Sequence, residues 1–119
     1  MDVAAQPGAN AGADLNRTLD QLWARFLPDI RDRLSVLESA AAAAEANRLT
    51  SQQREEAHAT AHKLAGILGT FGLMRGTELA RRFEIEFSTE PGPDQNQGKA
   101  LVATAAEIRA MIENRKSTA

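Results

Sequence analysis

Two histidines, His58 and His62, are the only imidazoles in the 119-residue chain, and they stand four residues apart. On a helix that spacing places both rings on one face, and Glu55 shares it. A bound metal is the first chemistry such a pair suggests. A catalytic zinc site takes three protein ligands and a structural site four. Cysteine is absent and no third histidine exists, so Glu55 is the one further ligand this helix offers, and no metal is expected. The second chemistry is nucleophilic, since a neutral imidazole carries a lone pair on one ring nitrogen at neutral pH.

Four glycines follow His62, at positions 66, 69, 72 and 76. Glycine inside a helix costs about 1 kcal/mol against alanine. In an alanine-rich chain these glycines need a reason, and close approach of another backbone is one. Nothing in the sequence supplies nucleotide chemistry of its own. There is no Walker loop, no acidic metal cluster and no glycine-rich dinucleotide fingerprint.

The elements that hold these residues read almost entirely as helix. Residues 1–13 are rich in Ala, Gly, Asn and Pro and are expected to form a disordered tail or linker. Asp14 is the expected N-cap of a first helix. Its stripe is Leu15, Leu19, Leu22, Phe26, Ile30, Leu34, Leu37, Ala41 and Ala44, in steps of three and four. Pro28 falls inside that stripe without shifting its phase, which predicts a long helix kinked there, or two helices meeting. Trp23 and Phe26 beside it are expected in the core or capping it; an apolar patch exposed there would indicate partner docking.

Thr50 or Ser51 can cap a second helix running to about Gly69, with Ala57, Ala61, Leu64 and Leu68 inward. A third helix, roughly residues 73–88, turns Gly76, Leu79, Ala80, Phe83 and Phe87 inward. The Pro- and Gly-rich segment 88–98 is a loop. The last helix, about residues 97–114, carries Leu101, Ala105, Ile108, Met111 and Ile112. No segment alternates with period two, so no sheet is expected. The predicted fold is all-α, an antiparallel four-helix bundle over residues 14–116 with residues 117–119 frayed.

Composition bounds the function. The length suits one domain. A formal net charge of −2 argues against nucleic-acid binding dominated by phosphate contacts. No apolar run approaches a membrane span, and the N-terminus lacks the basic and apolar regions of a signal peptide. A cytoplasmic, monomeric protein is the expectation.

With about 100° per residue, His62 lies well over a right angle from the mean direction of Ala57, Leu64 and Leu68. It is therefore expected to face solvent. Its outer-face neighbours are His58, Ala59, Ala65, Gly66 and Gly69, a collar of mostly small residues around one exposed ring. Gly66 points nearly the same way as His62, whereas Gly72 and Gly76 fall at the turn or on the inward stripe.

Residues 62–84 resemble the signature of histidine-containing phosphotransfer (HPt) domains of two-component phosphorelays. In that family a helix carries a histidine, a leucine two residues later, and glycines four and ten later. An apolar residue precedes the second glycine, and a motif ending in Glu follows on the next helix. His62, Leu64, Gly66, Phe71, Gly72, Leu79 and Glu84 stand in that register. Phe26, Leu34 and Leu37 also match the family's long first helix, so the resemblance covers about residues 15–112.

The resemblance implies that His62 is the phosphoacceptor, most readily at Nε2, with His58, Lys63, Ala65, Gly66, Gly69 and Arg75 around it. It implies a receiver domain of a response regulator as partner, a hybrid histidine kinase as a further one, and Mg2+ held by the receiver rather than by this chain. The protein would then be a shuttle without kinase activity. One departure stands out. The family usually has Lys or Arg three residues after the histidine, and this chain has Ala65. Lys63 and Arg75 are the expected substitutes for that charge. The alternatives are a degenerate HPt-like bundle that docks a receiver without being phosphorylated, and an unrelated helical interaction module.

Overall fold

In the computed structural model the chain is described over residues 7–116, with side chains from residue 12 onward. It forms α1 (Pro7–Glu45), α2 (Ser51–Thr70), α3 (Met74–Glu86) and α4 (Gln95–Glu113). No strand occurs among the described residues. α1 packs on α2 and α4, and α3 packs on α2 and α4. Cross-helix ion pairs give the sense of packing. Arg115 just beyond α4 meets Asp20, and Arg109 meets Glu38, so α1 and α4 run antiparallel, as the short interhelical loops require.

α1 begins earlier than the sequence suggests. Residues 7–13 are helical, not a tail, and Asp14 lies inside the helix instead of capping it. Its carboxylate accepts from Arg17 at 3.2 Å and its carbonyl from the Thr18 hydroxyl at 2.9 Å. Extending an existing helix adds one hydrogen bond per ordered residue without a new nucleus, so small residues can follow their neighbours into it. The rest of the expected tail, residues 1–6, and the expected frayed end, residues 117–119, lie outside the described residues. Pro28 sits within one uninterrupted helix, which excludes the two-helix alternative.

At about 1.5 Å per residue, 39 residues span about 58 Å, against about 30 Å for α2. The N-terminal end of α1 therefore runs past the bundle, and the outer edge of its apolar stripe stays exposed while Leu19 and Leu22 are half-buried. Leu15 is 59% exposed and Phe26 44%. This corrects the expected inward face. The buried seam of α1 is Trp23, Ile30, Leu34, Leu37, Ala41 and Ala44 with half-buried Leu27, a 4–3–4 spacing that starts where neighbouring helices begin. Trp23 caps the bundle edge-on to Phe71, ring centroids 5.2 Å apart, and the Arg115 guanidinium stacks over it at 4.9 Å.

The other helices bury the faces their periodicity predicts. Ala57, Ala61, Leu64 and Leu68 of α2 meet Leu79, Ala80 and Phe83 of α3, then Phe87, and Leu101, Ala105, Ile108 and Ile112 of α4, in one core. Thr50 caps α2 by accepting from the Gln53 amide at 3.1 Å. Asp94 and Gln97 form a reciprocal capping box on α4. Gly72 carries the positive φ, 77°, that ends α2 and lets α3 fold back. Gly98 sits where α4 crosses the end of α1; a Cβ there would strike the Glu45 nitrogen and lie 2.8 Å from the Ala44 carbonyl carbon.

Candidate functional site

His62 projects from the middle of α2 with 73% of its side chain exposed. Its Nδ1 lies 2.7 Å from Oε2 of Glu84 on α3. One turn earlier, His58 places its own Nδ1 2.8 Å from the backbone carbonyl of the same Glu84. A carbonyl and an ionised carboxylate only accept, so both Nδ1 atoms donate. In the neutral ring the lone pair of His62 is then on Nε2, the nitrogen turned to solvent. His58, half-buried, ties α3 to α2 at the residue that orients His62.

His62 opens onto a shallow cleft between α1 and α2, lined also by Arg33, Lys63, Gly66, Ile67 and Thr70. A Cβ built on Gly66 would meet nothing within 4 Å. Among the described residues no contact requires glycine there. Gly69 is different, because its Cβ would come 3.3 Å from Oγ1 of Thr77 on α3. That glycine serves helix packing, as does Gly76, whose Cβ would crowd Leu68 at 3.1 Å.

Two expected neighbours of His62 lie elsewhere. Ala65 is 3% exposed and belongs to the core, and its carbonyl accepts from the Thr77 hydroxyl at 3.1 Å. It sits only about 60° round the helix from His62, yet on the flank α3 covers, so it is no part of the exposed collar. Arg75 does not line the cleft. Its guanidinium bonds Glu107 of α4 at 3.1 Å and reaches Glu78 at 3.5 Å. The hydrogen bond to Glu107 raises its pKa above the ordinary guanidinium value.

Two residues of the site escape sequence reasoning. Glu84 closes the motif on α3, but its contact with His62 depends on how α3 packs. Arg33 comes from α1 and carries no local signal at all. Its Nε bonds Oδ2 of Asp29 at 2.8 Å, and 28% of its side chain is exposed. A second, apolar groove adjoins the cleft, lined by Leu22, Phe26, Ile67, Thr70 and Phe71. Among the described residues no group of three or more His, Cys, Asp or Glu is placed to hold a metal ion, and no helix is long and apolar enough to cross a membrane.

Two comparisons with known proteins give matches. Protein RcaC of Microchaete diplosiphon is 39% identical over 66 residues, which cover 56% of this chain and 10% of RcaC. The chain thus matches a small part of that relative's length. No solved structure gives a significant match. The profile of the Hpt domain family matches residues 21–118, nearly the whole bundle, and the chain belongs to that family, whose general role is histidine phosphotransfer in phosphorelays in contact with receiver domains.

Proposed function

We propose that His62 accepts a phosphoryl group from the aspartyl-phosphate of a response-regulator receiver domain, or from a kinase, and passes it to another receiver. The observation that carries this is the Nδ1–Glu84 contact on an otherwise exposed ring. The Nε2 lone pair attacks phosphorus in line, and the bond from phosphorus to the aspartyl oxygen breaks. The leaving carboxylate takes the electron pair. The proton stays on Nδ1, so the phosphorylated ring is cationic, and the Glu84 carboxylate faces that charge. Return transfer reverses each step.

This chain's part is to present and orient the ring. The magnesium that neutralises the acyl phosphate is expected from the receiver, and the shuttle has no kinase activity of its own. Gly66 leaves the flank of His62 clear for the receiver's backbone. The apolar groove of Leu22, Phe26, Ile67 and Phe71 shares Ile67 and Thr70 with the cleft of His62, so a receiver seated over the histidine covers both. Binding in the cytoplasm as a monomer fits this reading.

The buried Ala65 favours one second reading, a bundle that docks a receiver without accepting phosphate, because the usual basic residue is missing there. Incubation with a phosphorylated receiver separates the two. Label should move to this chain, survive alkali, be lost in acid, and be absent from His62→Gln. Binding without label would establish the adaptor instead.

A further inference from the structure

The outer seam of α1 changes character along its length. Leu15, Leu19, Leu22 and Phe26 are followed, still in steps of three and four, by Asp29 and Arg33. Because α1 and α2 run antiparallel, the apolar end of that seam faces Ile67, Thr70 and Phe71, while its charged end faces His62, Lys63 and Gly66. A cation therefore stands at the level of the phosphoacceptor, on a different helix from the position where the family's basic residue is usually found.

Arg33 is also held in place. Asp29 engages its Nε at 2.8 Å from one turn earlier on the same helix, which leaves the terminal nitrogens as donors on a side chain that lines the cleft. A guanidinium fixed at one edge loses less freedom on binding a phosphoryl oxygen than a free side chain does. Lys63, the other cation of the cleft, is exposed and ends in a flexible ammonium. The side chain at position 65 is an alanine packed under α3, so it brings no charge to the cleft.

We infer that Arg33, pinned by Asp29, is the residue that binds the phosphoryl oxygens of phosphorylated His62 in this chain. The inference rests on the reading of His62 as phosphoacceptor. Its test needs no partner. Phosphoramidate phosphorylates an exposed imidazole directly: Nε2 bonds to phosphorus, the P–N bond of the reagent breaks, and ammonia leaves. The 31P resonance of the product is then followed against pH.

A guanidinium against the phosphoryl group favours its dianion and lowers the midpoint of that titration. Arg33→Gln should raise the midpoint by about half a pH unit or more and shorten the lifetime of the phosphohistidine. Arg33→Lys should restore part of the shift, and Lys63→Gln should move it less than Arg33→Gln does. Coincident midpoints for wild type and Arg33→Gln overturn the inference, and so does an equal shift from Lys63→Gln. Failure of the parent reading looks different, since there no label passes from a phosphorylated receiver whatever the midpoints are.

Discussion

Nδ1 of His62 on α2 stands 2.7 Å from Oε2 of Glu84 on α3, and this contact leaves Nε2 as the ring nitrogen without a partner on α3. Glu84→Ala removes the acceptor, and both tautomers of His62 then become populated. Transfer should slow roughly ten- to a hundredfold, the worth of one hydrogen bond to a charged group. Glu84→Gln keeps an acceptor oxygen without its charge and should fall between the two. Stopped transfer assays give the rates, and 15N spectra of the imidazole give the tautomer. Equal rates for wild type and Glu84→Ala would remove Glu84 from the mechanism.

Gly66 separates folding from function. Its added Cβ would stand in open space, and alanine is the better helix former by up to about 1 kcal/mol. Gly66→Ala should therefore raise the thermal midpoint by a few degrees. The same change should slow transfer from a phosphorylated receiver, and Gly66→Leu should nearly abolish it. A melting curve and a transfer time course on one preparation test both halves.

How much of this was legible in the sequence depends on what each residue answers to. The seam Ala57, Ala61, Leu64 and Leu68 is set by the period of its own helix, and the structure buries all four. The seam at Leu15 and Phe26 has the same period, yet both stay exposed, Phe26 at the wall of a groove that α2 only partly closes. Periodicity states which face is apolar and is silent on whether a partner element reaches it. Ala65 shows the converse, because its angle alone left it beside His62 until α3 closed over that flank. Arg33 joins His62 only through the α1–α2 register, which no local pattern encodes.

Gly98 is a second case of structure that spacing does not reveal. Read along α4 it is an ordinary weak point near a helix start. In the fold, α4 crosses the end of α1 so closely that any Cβ meets the backbone of Ala44 and Glu45. Backbone cannot swing aside as a side-chain tip can. Gly98→Ala should thus destabilise the bundle by about 1–3 kcal/mol despite its gain in helix propensity. Urea unfolding measures this, and an unchanged midpoint would mean that α4 shifts freely on α1.

Acid should loosen the α1–α4 contact. Glu113 is held below the usual carboxylate pKa, first by its hydrogen bonds from Arg31 and then by the charges of Arg31 and Arg109. A carboxyl whose folded pKa is depressed contributes stability above its unfolded value and loses it as pH falls through the folded one. The loss should fall below about pH 4.5, where the unfolded chain takes up its proton first. Thermal midpoints of Glu113→Gln should depend less on pH across that window than those of wild type. Parallel curves would show that the pair contributes nothing to folding.

Phe26 tests whether the groove belongs to the receiver's footprint. It is 44% exposed at the groove wall and outside the buried core, so Phe26→Ser should leave the thermal midpoint nearly unchanged. Removing one large apolar anchor from an interface centre typically costs 1 kcal/mol or more, roughly a fivefold or greater loss of affinity. Phosphoramidate loading of His62 should be unaffected, because it needs no docking. Weakened transfer from a receiver with normal loading by the small reagent places Phe26 in the docking surface. Normal transfer would confine the footprint to the charged end of the α1–α2 cleft.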